Sequence, residues 1–248
     1  MFTKLSVFTT AIVLLFSFTA CTSQSDSSQA GSSTEQLNED VLTQEAQQAL
    51  TPEEILEGLK EGNQRFVSNN LTPQDYQAQV EKTSSGQYPE AVVIACIDSR
   101  VPVESIFDKS IGDIFVARVA GNFVNEDILG SAEFGTAVAG SKVVVVMGHE
   151  HCGAVKSAID DVEMGNITAM LSKIRPAVEL SEEDYEGEGE MTSSNDAYVT
   201  HVVNTNVRYT IEQMRERSQI ISELERNGEV VIAGAFYDLD TGEVTFLD

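Results

Sequence analysis

Two short motifs carry residue types from which a reactive centre can be built. The first is Cys96-Ile97-Asp98-Ser99-Arg100 and the second, about fifty residues further on, is His149-Glu150-His151-Cys152. Each directly follows a run of strand-forming residues. Two thiols and an imidazole are donors of soft and intermediate character, and three such ligands with one position left open suit a catalytic zinc. Zinc held this way turns water into hydroxide near neutral pH. The His-x-x-Cys spacing lets one turn bring His149 and Cys152 to a single ion, while Cys96 must arrive from a neighbouring strand. Asp98 and Arg100 are two residues apart, so a turn can face them toward each other. A guanidinium fork holds a carboxylate bidentately and keeps it ionised. Asp98 would then accept the proton of a zinc-bound hydroxide and aim the oxygen lone pair at an electrophile. Plainer readings stand beside this one. A cysteine after a strand is often a small buried hydrophobe, and a cysteine pair in an exported protein is often a disulfide. His149 can be a satisfied core histidine, and Asp98 with Arg100 a surface ion pair.

The elements that must position these residues are legible in the hydropathy. Residues 91–96, 114–119, 142–147 and 230–236 are nearly continuous apolar runs. Such runs, rather than alternating ones, fit strands covered on both faces. Helical patterns separate them at 128–139 and 154–159, and a long helix is expected from 198 to 226, ended near Gly228. This rhythm predicts an α/β fold with a mostly parallel central sheet and flanking helices. Residues 243–247, after the turn Asp240-Thr241-Gly242, would add a short antiparallel edge strand. Cys96 and His149 fall at the carboxyl ends of predicted parallel strands, where ligand sites of such sheets gather. Upstream, Thr51-Pro52-Glu53-Glu54 has the form of a helix start with a capping box, followed by an apolar stripe of Ile55, Leu59 and Phe66. The acid- and glycine-rich stretch 181–194 reads as a solvent loop.

Of the 248 residues, 42% are apolar, enough for one sizeable core, and 40 acidic against 15 basic residues give a formal charge of −25. That surface repels phosphate backbones, so no nucleic-acid partner is expected. Residues 1–20 read as a signal peptide: Lys4 is the positive n-region, and 11–16 is the core of an apolar segment too short for a comfortable membrane span. Phe18-Thr19-Ala20-Cys21 resembles a bacterial lipobox, with Phe18 where Leu is usual. Cleavage before Cys21 and its lipidation would make an extracytoplasmic, membrane-anchored lipoprotein, on the periplasmic side or cell surface. An ordinary secretory signal would release a free protein instead. Residues 21–50 read as a flexible acidic tether and 51–248 as the catalytic domain.

Cys-x-Asp-Ser-Arg followed by Gly-His-x-x-Cys-Gly resembles the β-class carbonic anhydrases. Gly62-Asn63-Gln64-Arg65-Phe66, the stretch from Gly112 to Asn122 and the closing stretch from Tyr237 to Gly242 agree with that family. The similarity covers roughly 51–248. It implies one zinc per chain on Cys96, His149 and Cys152, with Asp98 and Arg100 as the dyad beside it. It implies reversible hydration of carbon dioxide to bicarbonate and a proton through zinc-bound hydroxide, in a homodimer or an assembly of dimers. Gln87 matches a glutamine that reaches substrate across a dimer interface, Phe115 an aromatic lining the pocket, and Gly153 the glycine closing the second motif. Some members close the site at low pH by swinging the aspartate onto zinc, which Asp98 and Arg100 permit. Some bind regulatory bicarbonate in a pocket that includes a tryptophan, a residue this chain lacks. His151 is a possible proton shuttle or a spacer, and His201 a structural residue. Two alternatives share the motifs: hydrolysis of carbonyl sulfide or carbon disulfide on the same scaffold, and a non-catalytic exported zinc-binding module.

Overall fold

The computed structural model describes residues 37–247. The expected signal peptide, Cys21 and the first part of the tether lie outside the described residues. Five strands form one sheet: β1 (Ala91–Ala95), β2 (Ile114–Arg118), β3 (Val143–His149), β4 (Val231–Tyr237) and β5 (Val244–Leu247). Their order is β2-β1-β3-β4-β5, with the first four parallel and β5 antiparallel to β4. This is the predicted mostly parallel sheet with its antiparallel edge.

The continuous apolar runs are explained by layers on both faces. Every residue of β1 and β3 is buried. Because successive side chains alternate across a strand, Val93, Val145 and Met147 join Ile55, Leu59, Ile106 and Phe107 on one face. Val92, Ile94, Val144 and Val146 join Val207, Ile211 and Met214 on the other. Among the described residues, no helix is long and apolar enough to cross a membrane.

The helix Pro52–Val67 starts as its sequence predicts. Glu54 N–H donates to Thr51 Oγ1 at 3.2 Å while Thr51 N–H donates to Glu54 Oε2 at 2.8 Å. The next turns explain the Gly-Asn motif. Gly62 lies so close to the chain beneath it that an added Cβ would stand 2.0 Å from the Phe107 carbonyl oxygen. Asn63 bridges to the far end of the chain, donating to Gly242 O at 2.9 Å and accepting from Val244 N at 2.8 Å. The helix therefore pins the start of β5.

Four expectations are corrected. The tether does not extend to residue 50. Leu42 N–H donates to Asp113 Oδ1 at 3.3 Å, residues Gln44–Ala49 form a helix, and buried Gln47 donates to Pro89 O at 2.8 Å and Ala139 O at 2.9 Å. Polar composition suggests solvation, but here the amide satisfies loose carbonyls below β1 and β3. The expected helix over 198–226 is two helices, Asp196–Arg217 and Gln219–Arg226, broken where Ser218 turns extended. Ser218 Oγ accepts from Ile221 N at 3.1 Å and donates to Glu133 Oε1 at 2.6 Å, so a capping serine separates two in-phase apolar stripes. The pattern over 128–139 is an α-helix, Glu126–Glu133, that passes into a π-helical turn, Phe134–Val138. The acidic loop begins later than expected, because Arg175–Asp184 is helical and buries Ser181.

Gly62 offers a test in which two effects oppose. Alanine is worth up to about 1 kcal/mol over glycine inside a helix. Overpacking against fixed backbone costs about 1–3 kcal/mol or more, and at 2.0 Å from a carbonyl oxygen it should win. Gly62→Ala should therefore lower the urea midpoint; a raised midpoint would show that the two segments part freely.

Candidate metal centre

Cys96 follows β1, His149 ends β3, and Cys152 is the N-cap residue of the helix Gly153–Ile159. β1 and β3 are parallel neighbours with Ala95 opposite Met147, so their carboxyl ends deliver a thiol and an imidazole side by side. The turn after β3 holds His151 at φ +51° and returns Cys152 to the same point. The two sulfurs and an imidazole nitrogen lie within 4.8 Å of one another, and all three residues are buried. Cys96 and Cys152 are free thiols, so they form no disulfide.

The bonding around His149 separates a ligand from a satisfied core histidine. Its Nδ1 is 2.8 Å from the Glu150 carbonyl, which can only accept, so Nδ1 carries the proton. Nε2 is then a lone-pair donor, and it is buried without a hydrogen-bond partner among the described residues. An orphaned imidazole nitrogen facing two sulfurs is poorly satisfied by protein alone and well satisfied by a divalent cation. The set fits a zinc-type ion held by three protein donors.

Electrostatics agree with that fit. The Cys152 thiol, donating toward Cys96, draws the Cys96 pKa down to about 4, with help from Gly121 N–H at 3.3 Å, against the opposing effect of burial. Cys152 is pushed well above the usual thiol range because it keeps the shared proton beside a thiolate and is buried. Gly121 can supply its N–H from φ +82°, and a Cβ there would meet Ile174 Cδ1 at 2.4 Å, so glycine is required on both counts.

Asp98 and Arg100 meet as predicted. Arg100 Nε donates to Oδ1 at 3.0 Å and Nη2 to Oδ2 at 2.8 Å, while the Arg100 backbone N–H adds a third bond at 3.0 Å. The guanidinium holds the Asp98 carboxyl well below the usual carboxylate range. Asp98 Oδ2 stands 3.9 Å from His149 Nε2, at the edge of the donor cluster.

Other expected residues lie elsewhere. Gln87 is exposed in the loop before β1, at the rim opposite the donors. Phe115 is the second residue of β2, paired with Val92 and in edge contact with Phe134, below the level of the donors. Gly153 is exposed just beyond Cys152. The His151 ring is engaged by Asp196 at 3.2 Å and Glu150 at 3.6 Å, and His201 by Asp184 at 2.8 Å. One residue that sequence reading missed is Arg118, at the end of β2 opposite Ala95. Its Nε donates to Cys96 O at 2.9 Å and its Nη2 to Asp98 O, so one guanidinium clamps the loop that carries both a ligand and the dyad. The signal was a lone arginine closing an apolar strand beside the first motif.

Sequence and structure comparisons agree on the family. A family model described as carbonic anhydrase matches residues 91–244. Carbonic anhydrase 2 of Mycobacterium tuberculosis is 34% identical over 198 residues, covering 77% of this chain and 90% of that protein. The carbonic anhydrase of Mycolicibacterium smegmatis is 35% identical over 192 residues, covering 75% and 88%. Among solved structures, a tetrameric β-carbonic anhydrase of Sordaria macrospora matches with a TM-score of 0.61 at 27% identity, covering 67% of this chain and 84% of that one.

Two outcomes should follow from the donor geometry. The wild type should take up one zinc per chain by elemental analysis and Cys152→Ser should not; full metal content in that variant would remove Cys152 from the ligand set. At pH 8 the two sulfurs share one proton, which Cys152 keeps beside the Cys96 thiolate, so loading should release close to one proton. Affinity should therefore rise about tenfold per pH unit there, and calorimetry in buffers of different ionisation enthalpy would expose any other count. On motif, fold and relatives together, this chain belongs to the β-class carbonic anhydrases and is a carbonic anhydrase enzyme.

Proposed function

We propose that the protein hydrates carbon dioxide reversibly to bicarbonate and a proton as a zinc enzyme, with Cys96, His149 and Cys152 as the ligands. The observation that carries this reading is the buried, unpartnered His149 Nε2 beside two sulfurs, all within 4.8 Å. Zinc held by these three donors supplies the nucleophile, by lowering the pKa of water toward neutrality.

The chain's own groups do the positioning. The Nδ1–H bond of His149 to Glu150 O fixes the tautomer and ring plane. Asp98 orients rather than stores the proton. A carboxylate held so low by Arg100 is a poor base, yet a strong hydrogen-bond acceptor. With the metal bound, Asp98 would accept a hydrogen bond from the attacking hydroxyl and so leave that oxygen a lone pair free for the substrate carbon. Arg118 sets the height of that carboxylate by holding the carbonyls of Cys96 and Asp98. The product proton then leaves for solvent buffer.

A second protomer completes the reading. β2 is an edge strand whose Phe115, Val116 and Ala117 are only half-buried, and Phe134 and Val138 beside them are exposed. Covering this apolar edge favours association. Gln87 lies at the rim opposite the donors, so its role toward substrate requires a neighbouring copy. We propose a homodimer or an assembly of dimers, exported and anchored through a lipidated Cys21.

Stopped-flow hydration across pH, with and without chelator, tests the reaction. Chelation should abolish turnover and zinc should restore it; turnover that survives metal removal ends the zinc reading. Asp98→Asn should keep its zinc and lose about a hundredfold or more in rate, and an unchanged rate would remove the orienting role. Carbonyl sulfide turned over faster than carbon dioxide would move the protein to the hydrolase reading, and zinc without either activity to a binding module. Metabolic labelling with a palmitate analogue should mark Cys21, while an unlabelled wild type would indicate free secretion.

A further inference from the structure

A second cavity, of about 230 Å³, opens against the carboxyl half of the helix Asp196–Arg217 and shares no residue with the metal centre. The chain carries 15 basic residues against 40 acidic ones, yet two basic residues, Lys173 and Arg217, line this one small space and no Asp or Glu does. Ser172, Tyr209, Thr210 and Gln213 complete its polar wall. Lys173 is exposed and has no carboxylate within 4.0 Å of its ammonium among the described residues. Arg217 gives Nη1 to Val124 O at 3.2 Å, and its Nη2 is 3.6 Å from Glu126, a carboxylate 91% exposed and easily displaced into water.

An independent observation points to a ligand. Thr210 is 1% exposed, and its hydroxyl is buried with no hydrogen-bond partner among the described residues. A threonine within a helix normally bonds back to a carbonyl of the preceding turn. Buried polar groups are seldom left without partners, and this one borders a cavity with two cations on its wall.

We propose that this cavity binds a small oxyanion. The match is chemical: although Ser172 already donates to Ala169 O and Gln213 to Glu216, the unpaired Lys173 ammonium, the Arg217 guanidinium and the unpartnered Thr210 hydroxyl suit a compact group with several acceptor oxygens. The volume admits an ion the size of phosphate, sulfate or bicarbonate with some water, and excludes a nucleotide. The ion would return positive charge to balance locally in a protein whose surface elsewhere repels anions.

The test is a chemical-shift titration of the zinc-loaded mature chain with inorganic phosphate, at constant ionic strength set by sodium chloride. Saturable shifts confined to the amides of 172–173 and 209–217 are expected. Lys173→Gln should weaken the apparent affinity at least tenfold. Thr210→Val, which keeps the shape and removes the orphaned hydroxyl, should weaken it at least threefold while the protein stays as stable as wild type. Both variants should hydrate carbon dioxide at the wild-type rate, since neither touches the metal centre. Parallel titrations with sulfate and bicarbonate rank the sources, and tightest saturation by bicarbonate would identify the enzyme's own product as the occupant. Shifts that grow linearly with all three anions, or affinities unchanged in both variants, mean an adventitious ion only and overturn the site.

Discussion

A buried imidazole nitrogen with nothing to bond is the point on which this structure turns. His149 can occupy the end of a fully buried strand only if Nε2 finds a partner, and the protein surrounds it with two sulfurs and a carboxylate edge rather than a donor. Satisfying that atom with a cation satisfies the thiolate of Cys96 as well. The parallel pairing of β1 with β3, the left-handed turn at His151 and the glycine at 121 all serve this convergence. β1 and β3 are the most deeply buried strands of the sheet, so the ligands are set by the most tightly packed part of the fold.

Around that core, arginines act at graded distances. Arg100 engages the carboxylate that flanks the donors, and Arg118 engages the backbone beneath it. Neither needs burial, because each binds bidentately or to two acceptors on one loop. A strongly acidic chain thus keeps two of its few guanidinium groups for the orientation of one short loop, Cys96 to Arg100, and the Asp98 side chain on it.

The sheet and the donor set were legible in the sequence for physical reasons. Strands covered on both faces must be continuously apolar, and soft donors at strand ends have few other uses. The capping box at Thr51 was legible because its hydrogen bonds are local. What escaped depended on distant partners. Gln47 looks like tether until Pro89 and Ala139 present carbonyls to it. Ser218 looks helical until Glu133 accepts its hydroxyl. Arg118 became a clamp only once β2 lay beside β1; Gln87, in the loop before β1, and Phe115, early in β2, lie away from the donors because both strands run toward the donor end. Local signals are written in local sequence, and long-range hydrogen bonds are not.

The docking of residues 38–49 has a directional consequence. Asn38, Leu42 and Gln47 bind Gln74, Ser110, Asp113, Pro89 and Ala139, all of which precede the strands rather than follow them. The incoming chain is thus fastened at the amino ends of the parallel strands, while the buried sulfurs lie at their carboxyl ends. Every one of these bonds falls on the side away from Cys96, His149 and Cys152, so the lead steadies the sheet without competing with the donors for anything that reaches them.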